Sequence, residues 1–269
     1  MRLEPSYNKG QMKRDLYFSK PLMNAAGSLG FAPDPRAPVM WEDFGAFVTN
    51  PISLRPRLPA AQPALIEYPG GFLLHTGLPN PGLASVLKKD ASRWARSALP
   101  ILVNLMADRP EETAKMVQML EGQENVMAVE MGFAPQLADD IILLALEMCR
   151  GELPLIISLP ADQLLRLGAR VMAEGAAAVS LSAPRGAMPL TPSPSPIRRG
   201  ELIGGRLYGP SLFPQTLEII HSAARMGLPV IGSGGVWKRD QAEALIEAGA
   251  LAVQLDAGLW IPQNKNLVG

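Results

Sequence analysis

Eight short apolar runs punctuate this chain, and each is continuous rather than alternating with polar residues. They fall at Leu22–Ala26, Ala46–Thr49, Pro100–Asn104, Val126–Met131, Pro154–Leu159, Ala177–Leu181, Pro229–Ile231 and Ala252–Leu255. Strands buried on both faces, as in parallel sheets, have this pattern. Helix-like segments lie between them. Pro110–Leu120 opens with Glu111 and Glu112, as a helix N-terminus favours. Ile141–Arg150 reads as another helical run. Ala161–Glu174 and Lys238–Glu247 each run into a glycine at or just past their ends, a C-cap signal. EGAAAVSL at Glu174–Leu181 and EAGALAVQL at Glu247–Leu255 look like two copies of one helix-to-strand unit. This alternation predicts an α/β chain folded as a (β/α)8 barrel, one domain over residues 1–269. Its eighth helix is not full, because only Asp256–Gly269 follow the last run and Pro262 sits among them.

Two segments exceed what a minimal barrel needs. Residues 51–85 are rich in Pro and Gly and follow the second run, on the face where barrel sites are built. They read as a long lid or binding loop. Residues 189–201, PLTPSPSPIRRGE, are Pro/Ser-rich and basic at their end. They read as a solvated insert, or as a grip on phosphate or a partner through Arg198 and Arg199.

Composition then narrows the class. The 269 residues carry 25 Lys+Arg and 25 Asp+Glu, so the formal charge is zero and no nucleic-acid or anionic-membrane footprint is expected. Met1–Arg14 lacks the apolar core of a signal peptide, and no apolar run is long enough to span a bilayer. A single cysteine, Cys149, forbids an intramolecular disulfide and fits a cytoplasmic protein; it reads as an apolar filler. No cluster has metal-ligand spacing. With the eighth helix incomplete, Leu255, Leu259, Trp260 and Ile261 lie where its cover would end. A homo-oligomer, most simply a two-fold dimer with Trp260 in the contact, is therefore expected.

The chemistry is concentrated late in the chain. Pro229–Val236, PVIGSGGV, and Ala252–Gly258, AVQLDAG, have the layout of the phosphate cradle after the seventh and eighth strands of such a barrel. A Gly-Gly after a strand is also an ordinary tight turn. His75 is the best proton-transfer candidate by intrinsic pKa, or a packing histidine; the other histidine, His221, is expected on a helix face. Glu130 lies inside the fourth run, so it either faces a polar site or pairs with an outer helix.

Several motifs follow one another in a familiar order: MNAAGSLGF at Met23–Phe31, GAFVTNPISLRPR at Gly45–Arg57, HTGLPNPGL at His75–Leu83, PILVNL, GGRLYGPSL at Gly204–Leu212, GSGGV and EAGALAVQL. In this order the chain resembles the dihydroorotate dehydrogenases, FMN-binding barrels that oxidise dihydroorotate to orotate. The resemblance runs from about Met23 to Trp260. It implies an FMN site in which Ala25, Ala26 and Gly27 lie against the flavin ring, Gly209 lines the phosphate side, and Gly234, Gly235, Ala257 and Gly258 form the phosphate turn. Asn50 and Ser158 stand where the family has lysines. Thr76, Gly77 and Leu78 would meet a small-molecule substrate, with His75 and Ser158 the remaining catalytic candidates.

The resemblance also shows gaps. MGFAPQ places Met131, Ala134 and Gln136 where the family has a base flanked by asparagines, and Ala134 cannot abstract a proton. Leu74, Ser182 and Ala183 replace further polar residues. Asp256 stands where the family has a small residue, and would repel a phosphate unless it points away or caps a turn. The implied function is an FMN-dependent oxidoreductase poor on dihydroorotate, or a non-catalytic relative binding a phosphate-bearing molecule or a protein partner.

Overall fold

A computed structural model describes residues 16–37, 39–189 and 202–260. The eight apolar runs become eight parallel strands: β1 (Leu22–Asn24), β2 (Phe47–Val48), β5 (Ile101–Met106), β6 (Val126–Gly132), β7 (Leu155–Leu159), β8 (Ala178–Leu181), β11 (Val230–Ser233) and β12 (Ala252–Leu255). Seven ladders join them in the order β1-β12-β11-β8-β7-β6-β5-β2. A single Met23–Ala46 bridge and the Gly45 N–H donating to the Leu22 carbonyl at 2.8 Å join β1 to β2. The buried Asn24 side chain completes that seam. Its Nδ2 donates to the Val48 carbonyl at 2.7 Å, and its Oδ1 accepts from the Val48 N–H at 2.9 Å. A side-chain amide thus supplies the hydrogen bonds that two very short strands lack. The fold is a (β/α)8 barrel.

Helices α1 (Leu83–Ala95), α2 (Pro110–Leu120), α3 (Asp139–Met148), α4 (Ala161–Ala173), α5 (Phe213–Arg225) and α6 (Arg239–Glu247) wrap it. Each presents an apolar stripe to the strands; in α4 it is Leu164, Leu167 and Val171, with Gly168 allowing Leu228 to approach. The two helix-to-strand copies close alike. After α4, Gly175 takes φ +108° and the Ala176 N–H bonds the Val171 carbonyl. After α6, Gly249 takes φ +105° and the Ala250 N–H bonds the Leu245 carbonyl. Cys149 is buried, and burial pushes its thiol up to about 12, so it is the apolar filler expected. His221 lies exposed on α5, as expected.

The 51–85 segment is not one loop. It folds into β3 (Ala64–Tyr68) and β4 (Gly71–His75) and runs into the start of α1. These strands join β9 (Arg185–Pro189) and β10 (Leu202–Tyr208) in a second, antiparallel sheet of order β3-β4-β10-β9. Its residues border cavities shared with the ends of the barrel strands, so it caps the barrel. The pairing of residues far apart in sequence was invisible to local periodicity. The Pro/Ser-rich insert, with Arg198 and Arg199, lies outside the described residues apart from Pro189. Ile261 and the last residues also lie outside them. Leu255 and Leu259 are buried rather than awaiting a cover, because the short 3-10 turn Ala257–Trp260 folds back on the barrel; only Trp260 is exposed, at 58 %.

Candidate functional site

Two adjoining cavities, about 450 and 200 Å3, open between the strand ends and the cap. The larger falls within the usual range for small-molecule sites. Its floor is a polar cluster in the barrel interior. Glu130 in β6 is 1 % exposed and accepts three hydrogen bonds: from Asn104 Nδ2 at 2.8 Å, Ser180 Oγ at 2.7 Å and Gln254 Nε2 at 2.8 Å. β6, β8 and β12 are the fourth, sixth and eighth strands, and side chains from alternate strands form one interior layer of such a barrel. Glu130 therefore faces a polar site and not an outer helix.

Asp256 follows β12 on the wall of the same cavity. It is fully buried, and burial raises its pKa from 3.8 to about 6. The backbone N–H groups of Gly258 and Ala257 oppose that rise, but neither carboxylate oxygen has a hydrogen bond of ordinary geometry. Its folded pKa lies above the unfolded one. Its contribution to stability is therefore fully present below pH 3.8 and lost as pH rises through about 6. The loss is roughly 3 kcal/mol. Asp256→Asn should gain stability on the unmutated protein between pH 4 and 7.5 in thermal melts. Parallel curves for the two proteins would show that Asp256 is not the group responsible.

The expected site residues divide. Ala25, Ala26 and Ser158 line the larger cavity; His75, Thr76, Gly77 and Leu78 line the smaller. Gly27, Asn50, Gly209, Gly234, Gly235, Ala257 and Gly258 line neither. Asn50 does not reach in as a lysine would, because its Oδ1 accepts the Gly30 N–H at 3.0 Å and its own N–H bonds the Gly30 carbonyl. Gly209 is set against the β3–β4 turn: a Cβ there would lie 2.2 Å from the Gly70 carbonyl oxygen. Gly235 is required by packing, since a Cβ would lie 2.3 Å from the Phe213 nitrogen at the start of α5. Leu78 holds φ +55°, a strained value for leucine. Thr76 Oγ1 accepts its N–H, and the buried Asn80 ties the same loop to Ser53 and Gly82.

Ala134 lines both cavities, and its N–H is held by Asp108 Oδ1 at 2.6 Å. Leu74 lines the smaller cavity; Gln136, Ser182 and Ala183 line the larger; Met131 is buried in the core. Residues on the cavities that the sequence reading passed over are Asn104, Asp108, Arg185, Arg206, Tyr208 and Gln254. Arg185 and Arg206 flank the low-complexity insert, where only strand pairing would reveal them.

Comparison with known proteins agrees with this geometry. The dihydroorotate dehydrogenase family model matches residues 12–134. The dihydroorotate dehydrogenase B (NAD(+)) catalytic subunit of Maridesulfovibrio salexigens is 29% identical over 262 residues, covering 91% of this chain and 86% of that protein. The same subunit of Pelobacter propionicus is 29% identical over 267 residues, covering 93% and 87%. The structure of an Eimeria tenella DHODH in complex with ferulenol matches with a TM-score of 0.71 at 16% identity, over 94% of this chain and 79% of that one. Barrel, motif order and relatives converge on one likeness: this chain is similar to the dihydroorotate dehydrogenase family.

Proposed function

We propose that the chain is a dihydroorotate dehydrogenase-like oxidoreductase barrel whose reaction is not the oxidation of dihydroorotate. Similarity to this family supports flavin-dependent redox chemistry in its coarse form. The observation that carries the finer reading is Ala134. It stands on the cavity wall where the family's proton-abstracting side chain would be, and a methyl group moves no proton. Ser158, also on that wall, brings no positive charge where the family has a lysine.

FMN itself fits only in part. The small residues Ala25 and Ala26 and a cavity of about 450 Å3 suit a flat ring. The phosphate end does not fit. Asp256 puts a buried carboxylate at the end of the eighth strand, beside Ala257 and Gly258, and a phosphate brought there would meet it with several kcal/mol of repulsion. These residues do not fit FMN in the family's pose. A second reading, a barrel that binds a small molecule without turning it over, is favoured by the same carboxylate. Colour separates the two. Protein that is yellow as isolated supports the redox reading; colourless protein with no thermal shift on adding FMN supports the second.

Among the described residues no helix is long and apolar enough to cross a membrane. We also propose that two copies associate through the exposed Trp260, whose Nε1 is held by the Ser28 carbonyl at 3.1 Å. Light scattering after size exclusion should then read a dimer, and Trp260→Ala a monomer. A clean monomer for the unmutated protein removes this proposal.

A further inference from the structure

Two arginines face each other across antiparallel strands above the barrel mouth. Arg185 opens β9, and the ladder sets it directly opposite Arg206 in β10. Directly opposed residues project from the same sheet face, and like charges there are destabilising. Both arginines line both cavities. Burial, and then Arg206 itself, push the Arg185 guanidinium down from its ordinary value, yet Arg185 keeps an accessible surface in the cleft. Among the described residues no carboxylate forms a salt bridge with either guanidinium. Asp108, on the smaller cavity, draws weakly on Arg185 and commits one oxygen to the Ala134 N–H. Tyr208 lies two residues beyond Arg206 on the same strand face. Burial raises its pKa, so it stays a neutral phenol whose O–H can donate.

We propose that Arg185, Arg206 and Tyr208 form a receptor for one anionic group, carboxylate or phosphate, of a small molecule whose body fills the larger cavity. Guanidinium groups match both anions through paired N–H donors. The opposed positive charges, unfavourable in a bare sheet, become favourable once an anion sits between them. The floor sets the other end of the ligand. Glu130 and Asp256 line the larger cavity below, so a second negative charge on the ligand would be repelled there, and a neutral or donor-rich end is favoured. The assignment goes beyond the redox reading and holds whether or not the molecule is turned over.

The test is calorimetric titration of the full chain at low salt with two probes, inorganic phosphate and acetate. At least one should saturate. Arg185→Gln and Arg206→Gln should each weaken it by about tenfold or more, and Arg206→Lys, which keeps charge but loses the fork, by less. Saturation by phosphate alone assigns a phosphoryl group, and by acetate alone a carboxylate; saturation by both assigns a receptor for either. Without anion, removing one arginine should leave the melting temperature unchanged or raised. The receptor is overturned if neither probe saturates below about 10 mM, if both Gln variants bind as the unmutated protein does, or if both melt lower without anion. Titrating FMN into the same preparations reads the redox proposal separately, since the arginines are not on the phosphate turn.

Discussion

Supplied with FMN, dihydroorotate and a dye acceptor, the purified protein should turn over at least about 10²–10⁴-fold more slowly than a competent dihydroorotate dehydrogenase. That factor is what a positioned general base contributes, and the resemblance puts Ala134 at the base position. Further losses act in the same direction. Leu74, Ser182 and Ala183 offer an orotate-like ring fewer hydrogen bonds than the family's residues, and each buried polar group left unpaired costs about 1–3 kcal/mol. His75 is on the smaller cavity and is the group that could rescue proton transfer. If it does, His75→Ala abolishes the turnover while Ser158→Ala does not. Turnover at family rates would contradict the reading of the whole cavity.

Glu130→Ala should be the most destabilising single change at the site. It strands Asn104 Nδ2, Ser180 Oγ and Gln254 Nε2 around an emptied position. Unpaired buried donors cost about 1–3 kcal/mol each, though water entering from the cavity would repair part of that. A net loss of about 3 kcal/mol corresponds to a fall of roughly 6–12 °C in melting temperature for a domain of this size. Glu130→Gln should lose far less. Its amide oxygen can keep Ser180 and Gln254, while the Asn104 amide turns to accept from its nitrogen. Equal losses for both variants would mean that the side chain acts through its charge rather than through these hydrogen bonds.

The barrel was legible because its signals are local. Strands buried on both faces read as unbroken apolar runs, and the Gly175 and Gly249 turns repeat one short pattern. The cap was not legible. β4 pairs with β10 more than a hundred residues away, and β9 and β10 are separated by a low-complexity stretch, so the 51–85 strands looked like loop. The site divided for the same reason. Ala25, Ser158 and His75 were found because motif order placed them. Arg185 and Arg206 were missed because their partnership exists only in the register of two strands. Asn50 and Gly209 were drawn toward the site by motif order, and hydrogen bonding to Gly30 and packing on Gly70 turn them to structural use. Asp256 stands out in the sequence as a departure, and the structure adds that its carboxylate is buried on the wall of the larger cavity.

The most direct test of the account is an FMN fluorescence titration at pH 7.5 and low salt, comparing the unmutated protein with Asp256→Gly. The unmutated protein should bind FMN measurably but weakly, and Asp256→Gly at least tenfold more tightly, as relief of about 1.4 kcal/mol or more of repulsion requires. Tight binding by the unmutated protein, with no change in the variant, would mean that Asp256 does not oppose the phosphate and that the family's cofactor site is intact.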